Sequence, residues 1–174
     1  MGRYFFALWP DDATRAACYA QTQPLRALNI GRQVQVDNYH ITLAFLGSLT
    51  ANEYDEACRA GSTVRAPSFE LALDHYGYWP KPQVAWIGVS EIPKALIVLH
   101  KHLVKALKKR DFKLEKRAYH PHLTVLRKVR RKPVFPEIEA VAWPAASFAL
   151  VESVSVSGGV VYTPKVFWSL LASD

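Results

Sequence analysis

Long apolar runs are missing from this chain: none approaches the ~20 residues that a membrane-crossing helix requires, so no bilayer span is expected. Cysteine is nearly absent too, and Cys18 and Cys58 suggest no disulfide framework. A chain of 174 residues buries roughly 70% of its unfolded surface, so a core can form without a disulfide or metal staple. The opening MGRYFFALWPDD has no signal-peptide h-region, because Asp11 and Asp12 interrupt it, and a cytoplasmic location is expected. Acidic residues are scarce, with 15 Asp plus Glu against 22 Lys plus Arg and a formal net charge of +7. The excess gathers in KHLVKALKKRDFKLEKR (101 to 117) and RKVRRKP (127 to 133). An anionic partner is therefore expected there, the plainer alternative being solvated helix faces and loops.

What is present alternates strands with helices, in a similar order in each half. Residues 3 to 9, RYFFALW, are aromatic and strand-like, and DDATRAACYAQTQPLRAL follows as a helix that Asp11 or Asp12 can cap. Pro24 is expected to kink or divide it. A strand is read over 39 to 47; Thr50 with Glu53 then makes a capping-box signature for a helix through about Ala60, and SFELALDHY alternates as a strand. The second half opens on QVAWIGVS, 83 to 90, where Ser90 is placed to cap EIPKALIVLHKHLVKALKKR. Ile92, Leu96, Leu99, Leu103 and Leu107 form one apolar stripe of that helix. A basic loop leads to a strand over 121 to 127, and SFALVESVSVSGGVVYTPKVFWSLL reads as two strands around the Gly158-Gly159 turn. The recurring order suggests a duplicated unit, and the length suits one domain or two small lobes sharing an interface.

Two segments carry more than strand pattern. NYHITLAFLG (38 to 47) and AYHPHLTVLR (118 to 127) each contain His-x-Thr followed by Leu or Val, as His40 with Thr42 and His122 with Thr124. Random order of this composition yields roughly 0.05 such matches, where two are present. Strand side chains alternate between faces, so His40 and Thr42 share a face, with Tyr39, Ile41, Leu43 and Phe45 on the other. His122 and Thr124 likewise oppose Leu123 and Val125. A pseudo-twofold that brings the strands together would converge two imidazoles and two hydroxyls on one cleft.

That set suits cleavage of a phosphodiester. One imidazole takes a proton from water while the other gives one to the leaving alkoxide, each worth typically ~10²–10⁴-fold. Hydroxyls can donate to the phosphoryl oxygens, and the motif strands hold no carboxylate to repel the anion. Two other readings compete. His120 shares a strand face with His122, a His-x-His pair that a zinc or iron hydrolase would use together with further His, Asp or Glu ligands. A noncatalytic RNA-binding module would stack bases on Tyr76, Tyr78 and Trp79 and hold phosphate with the basic runs, although such aromatics are more often core. His100 and His102, two apart on a helix, read as surface residues. A mere binder has no need of histidine and threonine twice at one spacing, which favours catalysis.

The same segments resemble the 2H phosphoesterases, specifically the bacterial and archaeal RNA 2',3'-cyclic phosphodiesterases also called LigT-like 2'-5' RNA ligases. RYFFALWPDD is similar to the family's opening strand, NYHITLAFLG to its first signature and SFELALDHYGYWPKPQVAWIGV to its middle segment. RAYHPHLTVLRKV is similar to the second signature and LVESVSVSGGVVYTPKVFWSL to the closing hairpin, so the resemblance covers nearly the whole chain. It implies an α+β, bilobal, duplicated fold in which two antiparallel β-sheets face a central cleft with helices on the outside. Residues 1 to 174 would be one domain of two pseudo-symmetric lobes, each with one His-x-Thr motif. It further implies His40 as general acid toward the leaving 3'-oxygen, His122 as general base on water, and Thr42, Thr124 and Arg127 as phosphate ligands. No cofactor and no metal are implied. The partner would be RNA or a nucleotide with a 2',3'-cyclic phosphate end, acted on by a monomer that leaves a 2'-phosphate; some members also join RNA halves 2'-5'. Strict alternation would put Arg127 on the Val125 face, so its role requires a strand end or bulge. Val125 replaces a commoner leucine and Tyr119 a commoner phenylalanine, both on or near the packing side.

Overall fold

The computed structural model describes residues 2–172. Its first strand, β1 (Gly2–Leu8), is aromatic on both faces: Phe6 and Leu8 enter the main core, while Phe5 and Ala7 join Ala149 and Val151 in a small second cluster. Helix α1 (Asp12–Ala27) starts as read, with the Asp11 carboxylate accepting from the Thr14 amide at 2.7 Å. Pro24 lies inside α1 and does not divide it. The carbonyl that Pro24 cannot reach belongs to Ala20; both residues are exposed, so water can serve it. Helix α2 (Ala51–Thr63) carries the expected capping box, Thr50 N–H to Glu53 Oε2 at 2.8 Å and Glu53 N–H to Thr50 Oγ1 at 3.3 Å, and runs one turn beyond Ala60.

Helix α3 (Lys94–Lys108) begins later than the sequence suggested, behind Pro93. Ser90 is drawn elsewhere: its amide donates to Asp74 Oδ1 at 3.0 Å and its hydroxyl to Asp74 Oδ2. Leu96, Leu99, Leu103 and Leu107 are fully buried as one stripe, and Ile92 precedes the helix, half-buried. The same Asp74 breaks the strand expected over SFELALDHY into β4 (Phe69–Leu73) and β5 (His75–Trp79), which belong to different sheets.

The remaining strands are β2 (Arg32–Gln33), β3 (Ile41–Leu49), β6 (Val84–Gly88), β7 (His122–Arg127), β8 (Val141–Ala145), β9 (Ser147–Val156) and β10 (Gly159–Ser169). β9 and β10 form the expected hairpin about Gly158, whose positive φ of 96° suits glycine. All pairings between these strands are antiparallel. β4 pairs with β8 as a separate ribbon. The large sheet runs β10-β9-β1-β3-β7-β6-β5, with β2 beside β7. It consists of two halves that meet through one residue pair, Ile41 with Leu123. Both of these side chains are fully buried in the main core with the inward faces of α1, α2 and α3, so the opposite face of the junction is left to form a cleft.

Candidate active site

The single β3–β7 pair fixes the geometry of the motifs. Extending the antiparallel register one step either way from Ile41 and Leu123 sets His40 opposite Thr124 and Thr42 opposite His122. Because Ile41 and Leu123 point into the core, all four polar side chains lie on the other face. A pseudo-twofold through the Ile41–Leu123 pair relates the two motifs.

Each histidine is held in the same way. His40 Nδ1 donates to the carbonyl of Asn38 at 2.7 Å, and His122 Nδ1 donates to the carbonyl of His120 at 2.7 Å. A carbonyl can only accept, so in both neutral rings the proton sits on Nδ1 and Nε2 carries the lone pair. His40 Nε2 is 3.0 Å from the Thr42 hydroxyl, which donates to it. The Thr124 hydroxyl has no hydrogen-bond partner among the described residues.

His40 precedes β3 rather than lying within it, at the end of a 3-10 turn, Val36–Asn38. The turn is pinned by Arg15, which donates to the carbonyls of Val36 (3.1 Å) and Asp37 (3.2 Å). The buried Asn38 side chain spans to β10, donating to the Val160 carbonyl at 2.7 Å and accepting from the Tyr162 amide at 3.0 Å. Asn38 thus orients His40 by its own carbonyl while its amide clamps the turn to the neighbouring hairpin. It was not singled out from the sequence; the available signal was a polar Asn two places before the motif histidine. Phe5, Trp9 and Tyr162 surround the His40 ring at centroid distances of 4.8, 6.1 and 5.2 Å. His122 abuts Trp79 edge-on at 4.6 Å and Trp86 at 6.1 Å.

Two β-bulges redirect the next residues. In β3, Phe6 pairs with Ala44 and Ala7 with Thr42, so Leu43 is the extra residue; Leu43 and Ala44 are both buried and Phe45 turns outward. Phe45 is 55% exposed and lines the cleft, so its assignment to the core face fails at the bulge. In β7, Ala85 pairs with Leu126 and Trp86 with Thr124, making Val125 the extra residue; Val125 and Leu126 are buried and Arg127 turns to the histidine face. The bulge that Arg127 required is therefore present. Its guanidinium forms no ion pair among the described residues.

Electrostatics connect these groups. Burial pushes His40 down from its ordinary value to about 4, and the charges of Arg127, His122 and Arg15 push the same way against the Asn38 hydrogen bond. Burial also lowers His122, again aided by Arg127 and, more weakly, by His120 and Arg117. Arg127 thus bears on both imidazoles, and both are neutral at pH 7.

Beside the histidines opens a cavity of about 700 Å³ lined by Thr42, Phe45, Trp79, Lys81, Tyr119 and His122, with His100, Val104 and Lys108 of α3 on its far side. His100 is half-buried rather than freely exposed: its ring stacks on Tyr119 at 4.0 Å and faces the cavity. His102 is exposed. Tyr76 is core, Tyr78 packs partly against it, and Trp79 alone of that trio reaches the cavity. His120 contributes its carbonyl, and no group of three or more His, Cys, Asp or Glu among the described residues could hold a metal ion.

Known proteins share this fold. The family described as the 2'-5' RNA ligase superfamily matches residues 10–157. The RNA 2',3'-cyclic phosphodiesterase of Escherichia coli (strain K12) is 34% identical over 142 residues, 80% of each chain. That of Geobacillus stearothermophilus is 34% identical over 170 residues, 93% of this chain but 54% of its own, so this chain spans about half of that relative. The crystal structure of E. coli LigT in apo form superposes with a TM-score of 0.88 at 30% identity over 98% of each chain. Its complex with 3'-AMP gives 0.85 at 29% over the same shares.

Proposed function

The chain belongs to the 2'-5' RNA ligase superfamily, and from that premise we infer that it is an RNA 2',3'-cyclic phosphodiesterase working by paired imidazoles. The observation that carries the reading is the register about Ile41 and Leu123, which sets two histidines with identically fixed Nδ1 atoms on one face beside an arginine without an ion pair among the described residues. The whole chain acts as one domain of two pseudo-symmetric lobes, a cytoplasmic monomer that needs no metal and no cofactor.

Arg127 and the hydroxyls of Thr42 and Thr124 hold the phosphoryl oxygens. His122 Nε2 takes a proton from water as the water oxygen bonds to phosphorus; the bond from phosphorus to the 3'-oxygen breaks, and His40 gives that oxygen its Nε2 proton. A 2'-phosphate and a free 3'-hydroxyl result. His40 must first acquire that proton, although burial opposes it. The phosphodiester supplies the remedy: its negative charge favours imidazolium and compensates Arg127, one of the charges that disfavoured it. A 5'-hydroxyl in place of water gives, by the same proton transfers, a 2'-5' joined strand.

The test is incubation with a nucleoside 2',3'-cyclic phosphate in excess chelator, followed by identification of the hydroxyl that keeps the phosphate. A 2'-phosphate is expected. A 3'-phosphate overturns the assigned leaving oxygen, and loss of activity that zinc restores moves the chain to the metal-dependent class.

A further inference from the structure

The cavity beside the histidines does not end at its far wall. His100, Val104 and Lys108 stand four residues apart and so form one row along α3. The same three residues open a second, shallower concavity of about 480 Å³, bounded by Lys101, Lys105 and Lys109. These lysines are exposed, and none joins an ion pair among the described residues. Lys81, Lys116 and Arg117 line the cavity as well, and of these only Arg117 is paired among the described residues, with the exposed Glu115. Cations therefore border both the cavity at the histidines and the adjoining concavity along α3, and Glu115 is the one acidic residue among those that line them.

A 2',3'-cyclic phosphate exists only at the 3' end of a strand, so RNA seated at His40 and His122 must leave the cavity in its 5' direction. Four residues of helix advance about 6 Å, a step suited to successive phosphates of an extended strand. Resting on the reading above, we propose that the groove along α3 carries the RNA backbone 5' of the cyclic end, with Lys101, Lys105 and Lys109 contacting phosphates whatever the base. Lysine is a point charge that reads phosphate and no base edge, so this contact gives affinity without sequence preference.

The test compares the wild-type chain with the triple variant Lys101→Gln, Lys105→Gln, Lys109→Gln, which keeps helix propensity at three exposed positions. Binding is read by fluorescence anisotropy with a labelled ten-nucleotide oligoribonucleotide ending in 2'-phosphate, which requires no turnover. Turnover of a cyclic mononucleotide is measured separately. The variant should bind the oligonucleotide at least tenfold more weakly at low salt, and the slope of log affinity against log salt should be shallower by about 2 for three lost contacts. Its kinetics on the cyclic mononucleotide should equal wild type. Equal oligonucleotide affinity and equal salt slope for the two proteins would overturn the groove, as would a wild type that fails to bind the oligonucleotide. An inactive wild type toward the cyclic mononucleotide sinks the proposed reaction instead, and the anisotropy result still decides the groove.

Discussion

His40 and His122 begin identical motifs, yet their surroundings differ residue by residue. His40 is boxed by Phe5, Trp9 and Tyr162 and bonded through Nε2 to Thr42, and its turn is clamped by Arg15 and Asn38. His122 begins a strand at the open cavity, against Trp79, with no partner at Nε2 among the described residues. Past the matched bulges the contrast sharpens: five residues after each histidine stands Phe45 in one motif and Arg127 in the other. The register about Ile41 and Leu123 gives a symmetric frame, and the residues around it make the two rings unlike. The enclosed ring is desolvated and suits a proton donor that charges only with substrate; the ring at the cavity has room for an attacking water.

If the two rings serve one transition state, removing either should cost nearly all of their joint contribution. His40→Ala and His122→Ala should each lower kcat on a 2',3'-cyclic mononucleotide by at least ~10²–10⁴-fold, and the double variant should be little worse than either single one. Losses that multiply would mean the rings act independently.

The next contrast is Arg127 against Phe45. Arg127→Gln should reduce kcat/KM by about 10²–10³-fold, the usual cost of one donor to a charged oxygen. Phe45→Leu should raise KM while sparing kcat, since it removes only an aromatic face. The pH profile separates the charge from the contact. Both imidazoles lie below their ordinary value in the free enzyme, so the kcat/KM optimum should fall on the acid side of ~6.5. Arg127 disfavours imidazolium, hence Arg127→Gln should move that optimum upward, and the profile belongs to the pair rather than to either ring. An optimum that stays put in the variant would remove Arg127 from the electrostatics of the site.

These contrasts also mark how far the sequence could be read. The motif histidines, threonines and core leucines follow from period-two and period-3.6 patterns, because burial on one face imposes those periods. Phe45 was misread because a bulge breaks period two, and a bulge depends on the partner strand; in β7 only the resemblance to known signatures made Arg127 a candidate. Ser90 was read as a local cap when a carboxylate 16 residues away captured it. β8 went unread because it is five residues long and its partner β4 lies far off in the chain, and β5 was merged with β4 because the break at Asp74 depends on Ser90, 16 residues on. Asn38 escaped for the same reason, its partners lying 122 and 124 residues away.

Asn38 provides the third contrast, since both histidines lean on a carbonyl two residues upstream but only one of those residues also uses its side chain to hold the turn. Asn38→Ala should lower kcat by roughly tenfold to a hundredfold through misplacement of His40, with KM little changed. His120→Ala keeps the carbonyl that serves His122 and should change kcat by less than about threefold, as exposed substitutions away from such anchors are mild. Equal losses in the two variants would mean that the clamp to β10 does nothing for His40.

The smallest effect is expected three residues upstream of His122, where Tyr119 stacks on His100 and buries a hydroxyl without a hydrogen-bond partner among the described residues. Burial holds this phenol well above its usual range, so it stays protonated at any working pH. A buried donor left unmade costs about 1–3 kcal/mol, whereas the ring itself contributes by stacking and area. Tyr119→Phe removes the hydroxyl and keeps the ring. Its unfolding midpoint in urea should therefore be equal to or above wild type, corresponding to up to about 1 kcal/mol of added unfolding free energy, with kinetics on a cyclic mononucleotide unchanged. The first motif has no counterpart to perturb, since Asp37 occupies the equivalent place and is exposed. A midpoint that falls, or a KM that rises, would show that the hydroxyl finds a water or a substrate atom in solution, and Tyr119 would then belong to the working wall of the cavity rather than to its support.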